Sequence, residues 1–250
     1  ALCMVLARRI GLNVAPVTSG IAGERSYLLV ERYDRTGTGK NVRRLHQEDF
    51  CQALGRPPAA KYEFNGTGTR GPSIADMFSL VRQHMTARDI TRLLDAVIFN
   101  IAIGNVDSHA KNYSILLGPG APQLAPLYDL MSGLAWANIT QNHAQAIGGQ
   151  RRGRHIYGRH WRRMAEAAGL AARGTVRRVE QVTARLLREL PAAVEEVAAM
   201  PAGSSMLKVF AKEIEERATE VKAHAGQEGV PEVSGGVDEA PSLGGSAYGQ

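Results

Sequence analysis

The chain has 250 residues, of which 44% are hydrophobic and 22% charged, the composition of an ordinary globular protein with a substantial core. No apolar run approaches the roughly 20 residues that span a membrane, and no signal peptide is visible, so we expect a cytoplasmic protein without a membrane partner. Two cysteines are too few for a disulfide framework, so we expect Cys3 and Cys51 to be buried free thiols. The net charge of +6 favours an acidic partner.

The first predicted element is a helix over Leu2 to Ile10, which Gly11 and Asn13 close. A strand over Ser26 to Tyr33 follows, because this run is rich in β-branched, aromatic and aliphatic residues. Beyond it, Gln47, Glu48 and Asp49 are residue types that cap a helix, here one that would run through Cys51 and Leu54.

Apolar residues at helical spacing predict four longer helices, and we interpret these stripes as core faces rather than cofactor sites. The stripes cover residues 74–85, 90–101, 176–190 and 207–221. Thr86 and Asp89 are start signals for the second helix and Gly104 stops it, while Pro191 is predicted to interrupt the third. From Ala225 the sequence turns Gly-, Ser- and Pro-rich, which predicts a disordered tail.

The segment from Gly104 to Asp129, GNVDSHAKNYSILLGPGAPQLAPLYD, is the most specific in the chain. It predicts a β-hairpin whose first strand, turn and return strand cover residues 113–117, 118–120 and 123–127. An antiparallel return centred near residue 120 places Asn112 roughly opposite Tyr128. Neighbouring strands lie about 4.7–4.9 Å apart, so the side chains of Asp107, Asn112 and Asp129 are expected to meet at one end of the hairpin.

These three residue types suit phosphoryl transfer, which needs a carboxylate for the proton of the acceptor hydroxyl and a divalent cation at the phosphates. Protein kinases space the base and a metal-binding Asn as D-x-x-x-x-N, and a metal-binding Asp follows downstream. Asp107 and Asn112 have this spacing. The alternative is a structural turn, because Asn and Asp favour turns through local hydrogen bonds. A zinc site is not expected, since His109 lacks a nearby Cys or His partner.

The motifs NVDSHAKN and PLYDL resemble the catalytic and metal-binding motifs of HipA-type serine/threonine kinases, the toxins of bacterial toxin–antitoxin pairs. Further matching segments occur in the same order, namely VERYDR, RLHQEDFCQALG, KYE and GPSIA. The resemblance covers most of residues 1–200. It implies an α+β, kinase-like fold with a partial small N-lobe and hinge strand over residues 1–33, a mainly helical C-lobe with a catalytic β-hairpin over 34–224, and a disordered tail over 225–250.

The resemblance also implies roles for individual residues, with ATP and Mg²⁺ as cofactors. Asp107, Asn112 and Asp129 are the implied catalytic residues: Asp107 is the base, while Asn112 and Asp129 hold the metal. Glu31, Tyr33 and Asp34 are the implied hinge residues, where backbone groups face adenine and the Asp approaches the ribose. Gln47, His109 and Tyr128 also match nucleotide-contacting positions. For the strand before the hinge, the alternative is an ordinary sheet strand that ends in exposed charges.

As a member of this family, the chain is expected to be an ATP-dependent serine/threonine protein kinase that phosphorylates a cellular protein to arrest growth. Its implied partners are a protein substrate with a target Ser or Thr, a helix-turn-helix antitoxin and, through the antitoxin, operator DNA. The basic run from Arg151 to Arg163 is a candidate contact for nucleic-acid phosphates, and a solvated helix face is the alternative.

The chain departs from the family at its start. Such kinases anchor the α- and β-phosphates with a strand lysine upstream of the hinge, whereas the six lysines here lie at 40, 61, 111, 208, 212 and 222. We therefore expect a fragment or truncated product whose activity alone is doubtful. The alternative function is a catalytically inactive homologue that serves as an antitoxin- and DNA-binding module.

Overall fold

A computed structural model describes residues 1–203 and 205–229 of the chain. Its first helix, α1 (Leu2–Arg9), confirms the predicted one, and it forms because residues 2–7 are all apolar and buried. Gly11 follows with φ of +87°, a backbone conformation that glycine adopts without a steric penalty and that ends the helix.

An antiparallel hairpin comes next, formed by β1 (Val17–Ala22) and β2 (Arg25–Val30). The strand predicted over residues 26–33 is thereby confirmed, although it ends at Val30. All six residues of β2 are exposed, and within the described part of the chain β1 and β2 pair only with each other. The hairpin therefore presents apolar side chains on the surface, those of Ile21, Tyr27, Leu28, Leu29 and Val30.

A three-stranded sheet carries the predicted catalytic hairpin. Two-residue strands β3 (Arg35–Thr36) and β4 (Arg43–Arg44) pair with each other and lead into β5 (His46–Asp49) and the short helix α2 (Phe50–Ala53). The sheet order is β5, β6 (Ser114–Leu117) and β7 (Gln123–Leu124), all antiparallel. Asp49 ends β5 and caps α2 through a reciprocal capping box with Gln52, as the sequence predicts.

The return strand is shorter than the predicted range of 123–127, because only Gln123 and Leu124 pair as strand residues. Ala125 still donates its N–H to the Ser114 carbonyl at 2.8 Å, but Pro126 has no N–H to continue the ladder. Leu127 then turns to the segment after α1, donating to the Asn13 carbonyl at 2.8 Å. The chain is thus led away from the hairpin just before Tyr128 and Asp129.

The helical body consists of α3 (Ile74–His84), α4 (Ala87–Ala102), α5 (Gly158–Ala167), α6 (Ala172–Ala198) and α7 (Leu207–Ala225). The hairpin of β8 (Asn142–Ile147) and β9 (Gln150–Arg152) precedes α5. Capping boxes at Ser73 and Thr86 start α3 and α4 where the sequence predicts them. Helix α6 packs against α1, α4, α5 and α7, so α1 shares the core of the helical body.

The predicted interruption at Pro191 is wrong, because α6 continues to Ala198. A proline inside a helix costs about 3 kcal/mol through a lost hydrogen bond and a steric clash. The apolar stripe nevertheless continues on both sides of Pro191, with Leu190, Ala193 and Val197 buried. Burial of such side chains contributes about 1.5–3 kcal/mol each for the larger ones, which offsets the cost.

Cys3 and Cys51 are buried and free, as predicted, and burial raises the pKa of the Cys3 thiol to about 12. No helix among the described residues is both long and apolar enough to cross a membrane. Ala225, where the predicted tail begins, is the buried last residue of α7, and Glu228 pairs with Arg162 on α5. Residues 230–250 of the predicted tail lie outside the described residues.

Candidate active site

The loop that carries Asp107 follows directly after α4. Gly104 begins it with φ of +67°, and a Cβ at this position would lie 2.4 Å from the side chain of Leu134. Two reasons therefore favour glycine at position 104, its left-handed backbone conformation and the close approach of the Leu134 side chain. The loop ends in a single 3₁₀ turn over Ala110–Asn112, which leads into β6.

A buried amide network supports this loop from behind. Asn105, which is 1% exposed, accepts a hydrogen bond from the Asp107 backbone N–H at 3.2 Å and donates to Asn100 Oδ1 at 2.9 Å. Asn100 in turn donates to the Tyr113 hydroxyl at 2.8 Å. His143 Nδ1 lies 3.1 Å from the Asn105 carbonyl, and burial lowers the pKa of His143 to about 4, so a neutral ring donates this bond. The network fixes the backbone at Asp107.

Replacing Asn105 with Ala is expected to lower the free energy of unfolding by about 1–3 kcal/mol, because it leaves buried groups of Asn100 and the Asp107 N–H without partners. Urea unfolding would measure the change. The matched control is Asn41→Ala at an exposed position, where a change within about 0.5 kcal/mol is expected. Equal losses in the two variants would show that the network does not stabilise the loop.

Asp107 and Asn112 are joined through the loop itself. The Asn112 side-chain N–H donates to the Asp107 backbone carbonyl at 2.9 Å, which fixes the amide and leaves Asn112 Oδ1 for another partner. Asp107 is half-buried, and its Oδ1 accepts a short hydrogen bond from the hydroxyl of Tyr62. The predicted base and the predicted amide ligand are therefore held in one rigid turn.

Asp129 follows the return strand β7 and lies close enough to His109 to influence its pKa. It is exposed and has φ of +56°, a left-handed conformation seen at no other non-glycine residue in the described part of the chain. Such conformations are uncommon, are best tolerated by Asn and Asp, and cluster at functional sites. The carboxylates of Asp107 and Asp129 both lie near His109, since each acts to raise the pKa of its ring.

His109 lies buried between these groups, with 7% of its surface exposed. Burial is the largest influence and lowers the pKa of His109, so the ring is neutral at physiological pH. Its Nδ1 is buried without a hydrogen-bond partner among the residues that the structure describes. An orphaned buried nitrogen of this kind is what a ligand group would satisfy.

The predicted nucleotide-contacting residues Tyr33, Gln47 and Tyr128 also come together. The rings of Tyr33 and Tyr128 stack with centroids 5.6 Å apart, and the Tyr33 hydroxyl donates to Gln47 Oε1 at 2.6 Å. Tyr128 donates to the Lys111 carbonyl at 2.6 Å, and its oxygen lies 2.8 Å from that of Ser114. Burial raises the pKa of both phenols, so they stay protonated at neutral pH. The stacked rings of Tyr33 and Tyr128, here called the aromatic wall, thus include the residue directly before Asp129 in the chain.

Glu31 and Asp34 lie at the hinge but in different surroundings. Glu31 is exposed, and its N–H donates to the Pro16 carbonyl at 2.9 Å. The Asp34 side chain is 4% exposed and pairs with Arg32 and Arg35. Its hydrogen bond from Arg32 is the main reason that the pKa of Asp34 falls to about 2. The structure therefore places the Asp34 carboxylate in an ion-pair cluster rather than on an open surface.

The donor set suits a magnesium site better than a zinc site. No group of three His, Cys, Asp or Glu side chains within residues 1–203 and 205–229 is arranged to hold a metal ion. Mg²⁺ needs fewer protein ligands, because it keeps several waters and shares phosphate oxygens. Asn112 Oδ1 and the Asp129 carboxylate are the oxygen ligands available for it beside Asp107.

Sequence reasoning missed the contribution of the KYE segment to this site. Tyr62 contacts Asp107, and Lys61 lies close enough to His109 to influence its pKa. Nothing in the local sequence places the segment there. The only signal was its occurrence among the segments that match the family.

The basic run from Arg151 to Arg163 is not one continuous surface. Trp161 and His160 are buried, and Arg162 pairs with Glu228. Arg151 lies over the ring of Phe64, with 4.8 Å between its guanidinium carbon and the ring centroid. The exposed arginines Arg152 and Arg154 lie together near the β8–β9 hairpin.

Comparison with known proteins identifies close relatives. The family model of the HipA-like C-terminal domain matches residues 1–193. Y4mE of Sinorhizobium fredii, a candidate kinase by its name, is 38% identical over 225 residues, which cover 89% of this chain and 53% of that protein. The serine/threonine-protein kinase toxin HipA of Shewanella oneidensis is 34% identical over 209 residues, which cover 79% of this chain and 47% of that toxin. The chain thus spans about half the length of these relatives.

Two solved structures resemble the fold. One is the complex of Shewanella oneidensis HipA with HipB and its operator DNA, where the match has a TM-score of 0.76 at 31% identity and covers 90% of this chain and 54% of that one. The other is the Helicobacter pylori proinflammatory kinase CtkA, with a TM-score of 0.59 at 13% identity, covering 90% of this chain and 81% of that one. This second likeness concerns the fold alone, and together the two support a kinase-like α+β architecture.

Proposed function

The chain belongs to the HipA-like C-terminal domain family, which confirms the resemblance found in its motifs, and from this premise we propose that it forms the nucleotide-binding and catalytic part of an ATP-dependent serine/threonine protein kinase. The observation that carries the proposal is the turn that bonds Asn112 to Asp107, with the carboxylates of Asp107 and Asp129 both near enough to the buried His109 ring to influence its pKa. The Asp107 and Asp129 carboxylates come from segments on either side of the hairpin, and both act electrostatically on the same buried ring.

ATP would bind with its base beside the hinge and the aromatic wall. Neither the Glu31 carbonyl nor the Tyr33 N–H has a backbone partner among the described residues, and such a free acceptor and donor match the edge of adenine. The stacked rings of Tyr33 and Tyr128 supply apolar surface next to them. The pairing of Asp34 with Arg32 and Arg35 argues that Asp34 orders the hinge, so a ribose contact would require that cluster to open.

The reacting end would use the residues of the loop. Asp107 would orient the acceptor hydroxyl and take its proton, as the base of a kinase catalytic loop does. Asn112 and Asp129 would hold Mg²⁺, which neutralises charge on the phosphates when bound. The unpartnered Nδ1 of His109 would meet a polar group of the nucleotide.

Replacing Tyr33 with Ala is expected to weaken ATP binding about tenfold, because the loss of one aromatic stacking partner for a base costs about 1–3 kcal/mol. Titration calorimetry on the 250-residue chain would measure this. The control is Tyr27→Ala on the exposed strand β2, for which unchanged affinity is expected. ATP affinity that is the same in Tyr33→Ala and the parent chain would place the base elsewhere.

We also propose that the complete protein binds a helix-turn-helix antitoxin and, through it, operator DNA. The solved relative from Shewanella oneidensis is a complex of HipA with HipB and operator DNA, and this chain carries exposed arginines near β9. The protein substrate is expected to present a Ser or Thr hydroxyl to Asp107.

Replacing Arg152 and Arg154 with Ala is expected to weaken the DNA affinity of the antitoxin complex several-fold and to reduce its salt dependence, because each lost phosphate contact removes one released counterion. A mobility-shift titration at two salt concentrations would measure both effects. The control replaces two exposed cations elsewhere, Arg188 and Lys212. Equal DNA affinity for the Arg152 and Arg154 variant and the parent would exclude these arginines as a DNA contact.

A further inference from the structure

The side chain of Tyr62 contacts the carboxylate of Asp107 in the candidate active site. Its hydroxyl donates to Asp107 Oδ1, and it is the one side chain within the described residues that contacts this carboxylate through a hydrogen bond. The two residues are 45 positions apart in the sequence. The contact therefore depends on how the segment from Lys61 to Gly71 is held.

That segment is fixed on both sides of Tyr62. The Lys61 carbonyl accepts the Ala110 N–H at 3.1 Å, which ties the segment to the loop of Asp107. Glu63 donates its backbone N–H to the Ala144 carbonyl at 3.0 Å, and its carboxylate accepts the Ala146 N–H at 2.8 Å. Since Glu63 is 2% exposed, it anchors the segment to β8 in the protein interior. Tyr62 thus stands on a rigid backbone between the loop and β8.

The ring and hydroxyl of Tyr62 are also held in place. The ring meets the ring of His109 edge-on, with centroids 5.2 Å apart and planes at 83°, and the Lys61 ammonium lies 5.1 Å from its centroid. Burial, followed by the bond to Asp107, raises the pKa of the phenol, so the hydroxyl keeps its proton and remains a donor at physiological pH.

We propose that Tyr62 is a positioning residue for the base, which holds Asp107 by Oδ1 and leaves Oδ2 for the hydroxyl of the acceptor protein. This inference rests on the proposed function of Asp107 as the base. A carboxylate on a flexible side chain rotates about two torsions, and a hydrogen bond to one oxygen selects the orientation in which the other faces the acceptor. The role goes beyond those of the three motif residues, because Tyr62 would act through its hydrogen bond to Asp107.

The transfer step then has a defined geometry at Asp107. The acceptor O–H gives its proton to Oδ2 while the acceptor oxygen forms a bond to the γ-phosphorus of ATP. The bond between the γ-phosphorus and the β,γ-bridging oxygen breaks, and its electron pair leaves with ADP. Tyr62 keeps its own proton throughout, so it serves as a fixed donor and is neither acid nor base in the step.

The test replaces Tyr62 with Phe, which keeps the ring against His109 and removes only the hydroxyl. In the complete protein, with dephosphorylated casein as the acceptor, kcat is expected to fall roughly 10- to 100-fold, since a hydrogen bond to a charged group is worth about 1.5–3 kcal/mol. The KM for casein and the affinity for Mg²⁺-ATP are expected to stay within about twofold. Tyr27→Phe on the exposed strand β2 is the control and is expected to match the parent.

A double-mutant cycle separates positioning from a general structural effect. In the background of Asp107→Asn, Tyr62→Phe is expected to cause little further loss, because there is no base left to position. Unchanged or increased kcat in Tyr62→Phe, or a full additional loss in the Asp107→Asn background, would overturn the assignment. Absence of transfer by the complete parent protein despite Mg²⁺-ATP binding would overturn the proposed function and this assignment together, whereas equal transfer by the complete parent and its Tyr62→Phe variant overturns the assignment alone.

Discussion

Replacing Asp107 with Asn is expected to lower the rate of phosphoryl transfer by about 10²–10⁴-fold, the contribution typical of a positioned general base. Asn has the same shape and can still accept the hydrogen bond from Tyr62, but it cannot take a proton from the acceptor. Since Asp107 is not a proposed metal ligand, Mg²⁺-ATP affinity is expected to stay within about twofold of the parent. Transfer of radiolabelled phosphate to a seryl protein by the complete protein, which supplies the upstream strand, measured beside nucleotide affinity, would show both effects.

The control for this variant is Glu215→Gln, which removes one exposed negative charge on α7, far along the chain from the loop. It is expected to transfer phosphate at the parent rate. Wild-type transfer by Asp107→Asn would mean that the loop has only a structural role, and the base would have to be sought among other residues.

Replacing Asp129 is expected to have the second large effect, because this change strips a full charge from the proposed metal site. Asp129→Ala should weaken Mg²⁺-dependent ATP binding by at least about tenfold and reduce transfer as well. Asn112→Ala should act in the same direction but more mildly, since it removes a neutral ligand. Thermal-shift titrations with ATP and Mg²⁺, together with radiolabel transfer, would compare the variants.

The backbone of Asp129 calls for a matched variant, because its φ of +56° is unfavourable for Ala. Asn tolerates the left-handed conformation and retains a neutral oxygen, so Asp129→Asn separates the loss of charge from the cost of strain. We expect Asp129→Asn to keep the parent free energy of unfolding while losing most of the Mg²⁺ dependence. A variant that unfolds more easily yet keeps its Mg²⁺ response would assign Asp129 a purely conformational role.

The sequence was a good guide wherever structure depends on local signals. The starts of α3 and α4 follow from capping boxes at Ser73 and Thr86, and their buried faces follow from apolar spacing. The D-x-x-x-x-N spacing likewise anticipates the turn in which the Asn112 amide bonds the Asp107 carbonyl, because both residues lie in one short loop.

The errors arise where distant contacts override local preference. Pro191 would end an isolated helix, but burial against the rest of the helical body carries α6 through it. The return strand is cut short because Leu127 pairs with the segment after α1, more than a hundred positions earlier in the chain. The continuation of α6 has no signal in the neighbouring residues, whereas Pro126 is a local signal for the end of the return strand.

The same reason explains what the sequence could not reveal of the site. His143 supports Asn105 across 38 positions, and Tyr62 reaches Asp107 across 45. Asp34 pairs with its sequence neighbours Arg32 and Arg35, but no pattern in VERYDR indicates that its side chain is buried. Spacing within a motif predicts the reacting groups, whereas the residues that hold them come from elsewhere in the chain.

Calorimetric titration of ATP into the parent chain and into Asp129→Asn, each with and without Mg²⁺, tests whether Asn112 and Asp129, beside the proposed base Asp107, hold Mg²⁺ at the bound nucleotide. We expect Mg²⁺ to strengthen ATP binding to the parent chain by at least about tenfold and to have little effect on the variant. Mg²⁺ dependence of equal size in both proteins would contradict this expectation.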